Sequence, residues 1–272
     1  MTRLDVARAL ALVQAAVAEG RDAATAVVVA APDPALVGRR VVWDGERHHG
    51  GLGERSADAR IRRLLKTATG SAGCHTIAEG LELYVEWWSP ASELVIVGAG
   101  HIARPLAAIG RLLDFRVLVL DDRAELTTPE RFPGADVRIV DFADPFSGLE
   151  IGPRTSLVLV TRGHRYDYDC LRALVRSGAL PAYLGVIGSR RRVRAAFEQL
   201  AEEGVDAAWL ARIRAPIGLD IGSETPAEIA VAIAAEIVHA VRGGTGRPLS
   251  EAADVLRHVR ALSRSATAGE GS

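Results

Sequence analysis

The sequence predicts an α/β protein in two parts: a smaller α+β domain over residues 1–90, then a parallel-sheet domain over 91–262, with a frayed tail over 263–272. Three observations carry this reading. Strand-like apolar runs alternate with helical runs after residue 92, which is the pattern of a doubly wound parallel sheet. A glycine turn joins the first of those strands to the first of those helices, and Pro90 with the polar residues after it breaks the chain just upstream. The 272 residues are enough to bury one large core or two modest ones, and 49% apolar with 25% charged residues is a globular composition.

In the first part, Val6 to Glu19 reads as an amphipathic helix interrupted by charges, unlike the unbroken apolar core of a signal peptide. A β-rich run, TAVVVAAP, follows, then a short strand in RRVVWDG, a helix from Ser56 to Lys66 and a strand near GLELYVEWW. In the second part, Leu94 to Val97 forms a buried strand and His101 to Leu113 a helix. FRVLVLDD, VRIVDF, SLVLVTRG and AYLGVIGS are further strands, the last of them closing the parallel set. Helical runs follow the first, fourth and fifth strands.

Composition also narrows function. Thirty-three basic and thirty-four acidic side chains leave a charge of −1, so no global field recruits nucleic acid or an acidic membrane. Any anionic ligand must meet a local cluster. Cys74 and Cys170, the two cysteines, show no C-x-x-C spacing, so neither a disulfide framework nor a thiolate zinc site is expected, and a cytoplasmic location is. No run approaches the roughly 18 apolar residues of a membrane span. Lys66 is the only lysine, which excludes a P-loop lysine or a Schiff-base lysine elsewhere.

Gly98, Gly100 and Ala103 form G-x-G-x-x-A between strand and helix, the setting in which this pattern binds phosphate in a Rossmann-like fold. Gly98 permits the turn, Gly100 lets a phosphate approach the backbone, and Ala103 lets the helix pack closely. The orphan N–H groups of the helix start then face an anion. Asp121 ends the next strand 21 residues after Gly100, where a ribose-binding carboxylate is expected, with Arg123 beside it. A purely structural turn is the alternative. His101 lies at the mouth of the same crevice, either as a ligand contact or facing solvent.

Two further segments end at the same sheet edge. Gly188 and Ser189 precede Arg190, Arg191, Arg192 and Arg194 at the start of a helix, where each exposed cation opposes the macrodipole by about 0.3–1 kcal/mol. An anion would reverse that sign; a solvated basic face is the plain alternative. TRGHRYDYD supplies Thr161, Gly163, His164, Asp167 and Asp169. Its spacing matches no common metal site, so no metal is expected, and Asp167 or Asp169 is read as the cap of a helix beginning near Cys170. In PIGLDIGSETPAEI, Thr225, Pro226 and Glu228 form a capping box, whereas Asp220, Ser223 and Glu224 precede it and are free to face a ligand or a second protomer.

LVIVGAGHIARPLA, LDDR with RFPGAD soon after, TRGHRYDYDCL, LGVIGSRRR and PIGLDIGSETPAEIAVAIAAEIV, taken in that order, resemble the XdhC/CoxI family of molybdenum-hydroxylase maturation factors over roughly residues 93–238. The resemblance implies binding of molybdenum cofactor, as molybdopterin or its dinucleotide. It further implies protection of that cofactor while a cysteine desulfurase helps to replace an oxo ligand by sulfur. Delivery to an apo-molybdenum hydroxylase of the xanthine dehydrogenase type follows, and a homodimer is implied. NAD(P) is the rival ligand, as cofactor of an oxidoreductase with Asp121 on the ribose; a nucleotide sensor without chemistry is a third reading. One departure stands out: where many members have G-G-C-x-E, this chain has Gly50, Gly51, Leu52, Gly53 and Glu54, so the thiol is absent.

Overall fold

The computed structural model describes residues 4–67 and 72–252, and the expected tail over 263–272 lies outside the described residues. The chain divides into two compact units between Ala91 and Ser92.

The first unit is a five-stranded antiparallel sheet with a helix on each face. Its elements are α1 (Val6–Ala18), β1 (Ala23–Ala30), β2 (Arg40–Trp43), β3 (His48–Gly50), α2 (Arg55–Thr67), β4 (Gly73–Ala78) and β5 (Leu81–Trp88), with strand order β3-β2-β1-β5-β4. The side-chain alternation of β2 shows how the faces are assigned. Val41 joins Ile61 and Leu65 of α2, while Val42 joins Val13 and Ala16 of α1. Strands β3 and β4 go beyond the sequence expectation: one is three residues long, and the other is an edge strand whose GCHTIA stretch carries no apolar run. Pairing with β2 and β5 makes them strands.

The second unit is the parallel domain. In chain order it contains β6 (Glu93–Val97), α3 (Ala103–Leu112), β7 (Arg116–Asp121), β8 (Asp136–Ile139), β9 (Thr155–Leu159), α4 (His164–Ser177), β10 (Tyr183–Val186), α5 (Arg190–Glu202), α6 (Ala207–Leu210), β11 (Ile213–Arg214), α7 (Pro226–Arg242) and α8 (Leu249–Ala252). Strand order is β11-β10-β9-β6-β7-β8, all pairs parallel. Sheet side chains pack with α3 and α7 in one core, around Ile96, Leu106 and Ile233. They pack with α4 and α5 in the other, around Leu157, Leu171 and Leu200. The two central strands, β6 and β9, are neighbours from which the chain winds outward in opposite directions. This is the switch point where open α/β sheets hold their ligands, beyond the C-terminal strand ends.

Three boundaries differ from expectation. The parallel set closes with β11, not with β10, because a two-residue strand is too short to be seen by periodicity. Helix α3 begins at Ala103 rather than His101. Helix α4 begins at His164, not near Cys170: its polar first turns mask the start, and the buried stripe of Asp167, Cys170, Leu171 and Leu174 sets in later. Asp167 therefore sits in the first turn instead of capping it. Among the described residues no helix is long and apolar enough to cross a membrane.

Candidate functional site: the crevice at the switch point

The two turn glycines do different jobs. Gly98 has φ +110°, and a Cβ there would lie 2.5 Å from the Val160 carbonyl oxygen, so the end of β6 closes against the end of β9 only with glycine. At Gly100 a Cβ would meet nothing within 4 Å, and its φ is not in the left-handed region. Protein packing gives no reason for glycine at that position; an incoming group would. The helix start beyond it has Ile102 at its cap with no side-chain hydrogen bond, so α3 presents uncapped N–H groups to the crevice. Ala103 is fully buried, and Gly110 further along lets the helix approach Leu94.

Asp121 is buried at the end of β7 and turned inward. Ala99 N–H donates to its Oδ2 at 2.6 Å, and Arg123 grips both oxygens through Nε and Nη2, each at 2.9 Å. Burial alone would raise this carboxyl, but the Arg123 side chain and the Ala99 and Arg123 backbone N–H groups outweigh it and hold the pKa well below the usual carboxylate range. The carboxylate thus ties the glycine turn to β7. Next to it, Arg162 forms a two-pronged pair with Asp122 and lies over the Tyr166 ring, 4.2 Å from its centre.

Two clefts open here. The first, about 470 Å³, is lined by Gly100, His101, Arg123, Arg131, Glu224 and Ile229 among others. His101 is exposed at this cleft. Arg131 is a functional candidate that the sequence pattern does not single out, although it opens the RFPGAD motif. Its Nη2 reaches the Ala99 carbonyl at 3.5 Å, and its Nε is buried with no hydrogen-bond partner. Among the described residues no carboxylate pairs with it. A buried orphan donor costs about 1–3 kcal/mol unless something accepts from it.

The second cleft, about 240 Å³, lies between the ends of β9 and β10 and is lined by His164, Asp167, Gly188, Arg192, Val193 and Phe197 among others; Thr161 and Arg162 line both clefts. Ser189 caps α5, its side chain accepting from the Arg192 N–H. Of the arginine run, only Arg192 lines this cleft; Arg190 and Arg191 are exposed and line neither. Asp220, Ser223 and Glu224 separate as well: only Glu224 lines a cleft, and Thr225 and Glu228 form the expected capping box. Among the described residues no group of three His, Cys, Asp or Glu side chains is placed to hold a metal ion.

Residues 94–237, just over half of the chain, match the model of the XdhC Rossmann domain. The chain belongs to the XdhC family. Two curated relatives match this region: the uncharacterized protein YqeB of Escherichia coli, 36% identical over 155 residues, and a probable xanthine dehydrogenase subunit from Bacillus subtilis, 29% identical over 157. These alignments cover 56% and 57% of this chain but only 28% and 45% of those proteins, so the XdhC-family chain spans less than half the length of either. A crystal structure of a xanthine dehydrogenase from Bacillus halodurans shares the fold with a TM-score of 0.64 at 22% identity. That match covers 85% of this chain and 63% of the other.

In the first unit, the position where family members carry the thiol is filled by Leu52. Its side chain is buried with Ile61 and Leu65, and its N–H donates to Asp58 Oδ1 at 2.7 Å. Leucine offers no ligand to a metal or to sulfur. Cys74 is exposed on β4, whereas Cys170 is buried in α4, where burial pushes its thiol pKa far up.

Proposed function

We propose that this XdhC-family protein binds the molybdenum cofactor, as molybdopterin or its dinucleotide, and delivers it to an apo-molybdenum hydroxylase of the xanthine dehydrogenase type. The observation that carries this reading is Gly100: a glycine that packing does not require, at an uncapped helix start, beside the unsatisfied Nε of Arg131. That combination suits a terminal phosphate or pyrophosphate, which both forms of the cargo carry. The pterin dithiolene brings its own metal, and this chain supplies anion contacts and shelter. A cysteine desulfurase as sulfur source and a homodimeric assembly belong to the same proposal.

NAD(P) shares the phosphate chemistry, but a ribose diol at the end of β7 would have to displace Arg123 from Asp121. The test is reconstitution. Cofactor-loaded protein is expected to activate purified apo-hydroxylase, and the protein alone to oxidise neither purines nor NAD(P)H. Mass and metal analysis of the copurifying small molecule identifies the cargo. Steady-state turnover of NAD(P)H would replace this reading by an oxidoreductase.

A further inference from the structure

The Asp167 cavity holds a feature that phosphate binding does not use. Asp167 is 9% exposed at its base, and the Thr161 hydroxyl donates to its Oδ1 at 2.7 Å. Among the described residues no cation lies within ion-pair distance of it. The walls are apolar, from Leu171, Val186, Val193 and Phe197, while His164 and Arg192 also line the cavity. An unpaired carboxyl in such a place is costly to ionise, and burial raises its pKa to about 6. A ligand that donates N–H bonds to it would offset that cost.

The surroundings restrict the ligand. The Arg192 guanidinium beside the cavity disfavours a cationic donor, and the carboxyl disfavours an anion. What remains is a flat, neutral ring carrying two adjacent N–H donors on one edge. The 2-amino-4-oxo-pyrimidine edge, shared by pterins and guanine, has this pattern, whereas adenine and cytosine set a donor beside an acceptor. We infer that Asp167 reads this edge of the ligand's heterocycle, while Gly100 and Arg131 hold its phosphate in the adjoining cleft. Thr161 and Arg162, which line both spaces, make the connection. The inference rests on the phosphate-binding reading of the crevice and adds to it which ring is accepted.

The test is calorimetric titration of the full chain with GMP, IMP and CMP at pH 7.5, with inorganic pyrophosphate as the probe of the phosphate cleft alone. IMP lacks only the 2-amino donor, so GMP is expected to bind about tenfold tighter than IMP, the worth of one hydrogen bond to a charged group. Asp167→Asn keeps the shape and an acceptor for Thr161, and is expected to erase that preference while leaving pyrophosphate binding unchanged. Should the variant fold poorly, the unaltered protein gives the same answer through pH. The GMP-over-IMP preference is expected to shrink as pH falls through about 6 and Asp167 takes up a proton. The charged and titratable groups facing Asp167 are His164 and Cys170 on α4, Arg192 on α5 and Arg162 after β9. His164 gains charge over the same range, but it acts on both nucleotides alike and cancels in the ratio. Equal affinity for GMP and IMP with pyrophosphate bound, or a GMP preference that survives Asp167→Asn, overturns the ring inference alone. Failure of every probe, pyrophosphate included, overturns the phosphate reading as well.

Discussion

Replacing Gly100 by alanine separates ligand binding from folding more cleanly than any other change in the crevice. A Cβ at this position meets nothing within 4 Å, and the backbone is outside the left-handed region, so the empty protein accommodates alanine without movement. Loss of glycine freedom in the unfolded chain is then expected to leave stability unchanged or raise it by about 0.4–1 kcal/mol. The ligand sees the opposite. A methyl group standing where a phosphate would approach the N–H groups of the turn removes one or more charge-assisted hydrogen bonds, at about 1.5–3 kcal/mol each. Affinity for pyrophosphate or GMP should therefore fall by roughly 10- to 150-fold. Gly98→Ala is the control, because its Cβ would lie 2.5 Å from the Val160 carbonyl oxygen at φ +110°, and a loss of stability is expected before any ligand is added. Denaturant midpoints and calorimetry on both variants make the comparison. Unchanged affinity in a folded Gly100→Ala protein would remove the turn from the site. A destabilisation matching that of Gly98→Ala would show that the space at Gly100 is not open.

Three further outcomes are expected. Arg131→Gln should weaken pyrophosphate binding by about 1.5–3 kcal/mol and flatten its salt dependence; an unaltered affinity would mean that the orphan Nε faces no ligand. Neutralising Arg190 and Arg191 together should leave the denaturant midpoint unchanged or slightly higher, since both are exposed and oppose the dipole of α5, and should leave pyrophosphate affinity nearly unchanged. A clear drop in either quantity would return them to the site or reveal ion pairs that hold the helix. Asp121 has a folded pKa below its unfolded value of about 3.9, so its contribution is complete above that pH and is lost as pH falls below it. Unfolding followed from pH 5 to pH 2 should show a steeper acid loss in the unaltered protein than in Asp121→Asn, and identical slopes would refute the assignment.

The sheet edge that carries the site is legible in the sequence because strand, glycine turn and helix are local signals. The roles of individual side chains are less so, because they depend on pairings between distant segments. Asp121 is expected at the end of β7 and lies there, but the register of β6 on β7 brings the Ala99 N–H onto it, and no spacing rule announces that contact. In the arginine run the helix start is readable while its phase is not: one residue's rotation decides that Arg192, and not Arg190 or Arg191, lines the second cleft. Arg131 sits in an irregular loop without periodicity, 32 residues from the carbonyl it approaches; its motif is visible and its direction is not. Asp167 looks like a cap because the polar first turns of α4 resemble a loop, and its burial emerges only once Thr161 folds over it.

The charges of the crevice bear on how firmly cargo would be held. Arg123 and Arg162 are already neutralised, by Asp121 and Asp122, through two-pronged contacts that exist without ligand. Such pairs fix the glycine turn and the loop after β9 in place, so little ordering remains to oppose binding. They also withhold two of the strongest cations from an incoming phosphate, because drawing either guanidinium away would strand a carboxylate, a buried one at Asp121. Of the arginines lining the clefts, Arg131 and Arg192 are left with no carboxylate partner among the described residues. A crevice so arranged is shaped in advance and only moderately cationic, which favours quick entry and release over permanent retention. That balance is what a carrier needs if its cargo must leave for another protein, and it differs from a resident-cofactor site, where unpaired cations would be expected to close on the phosphate.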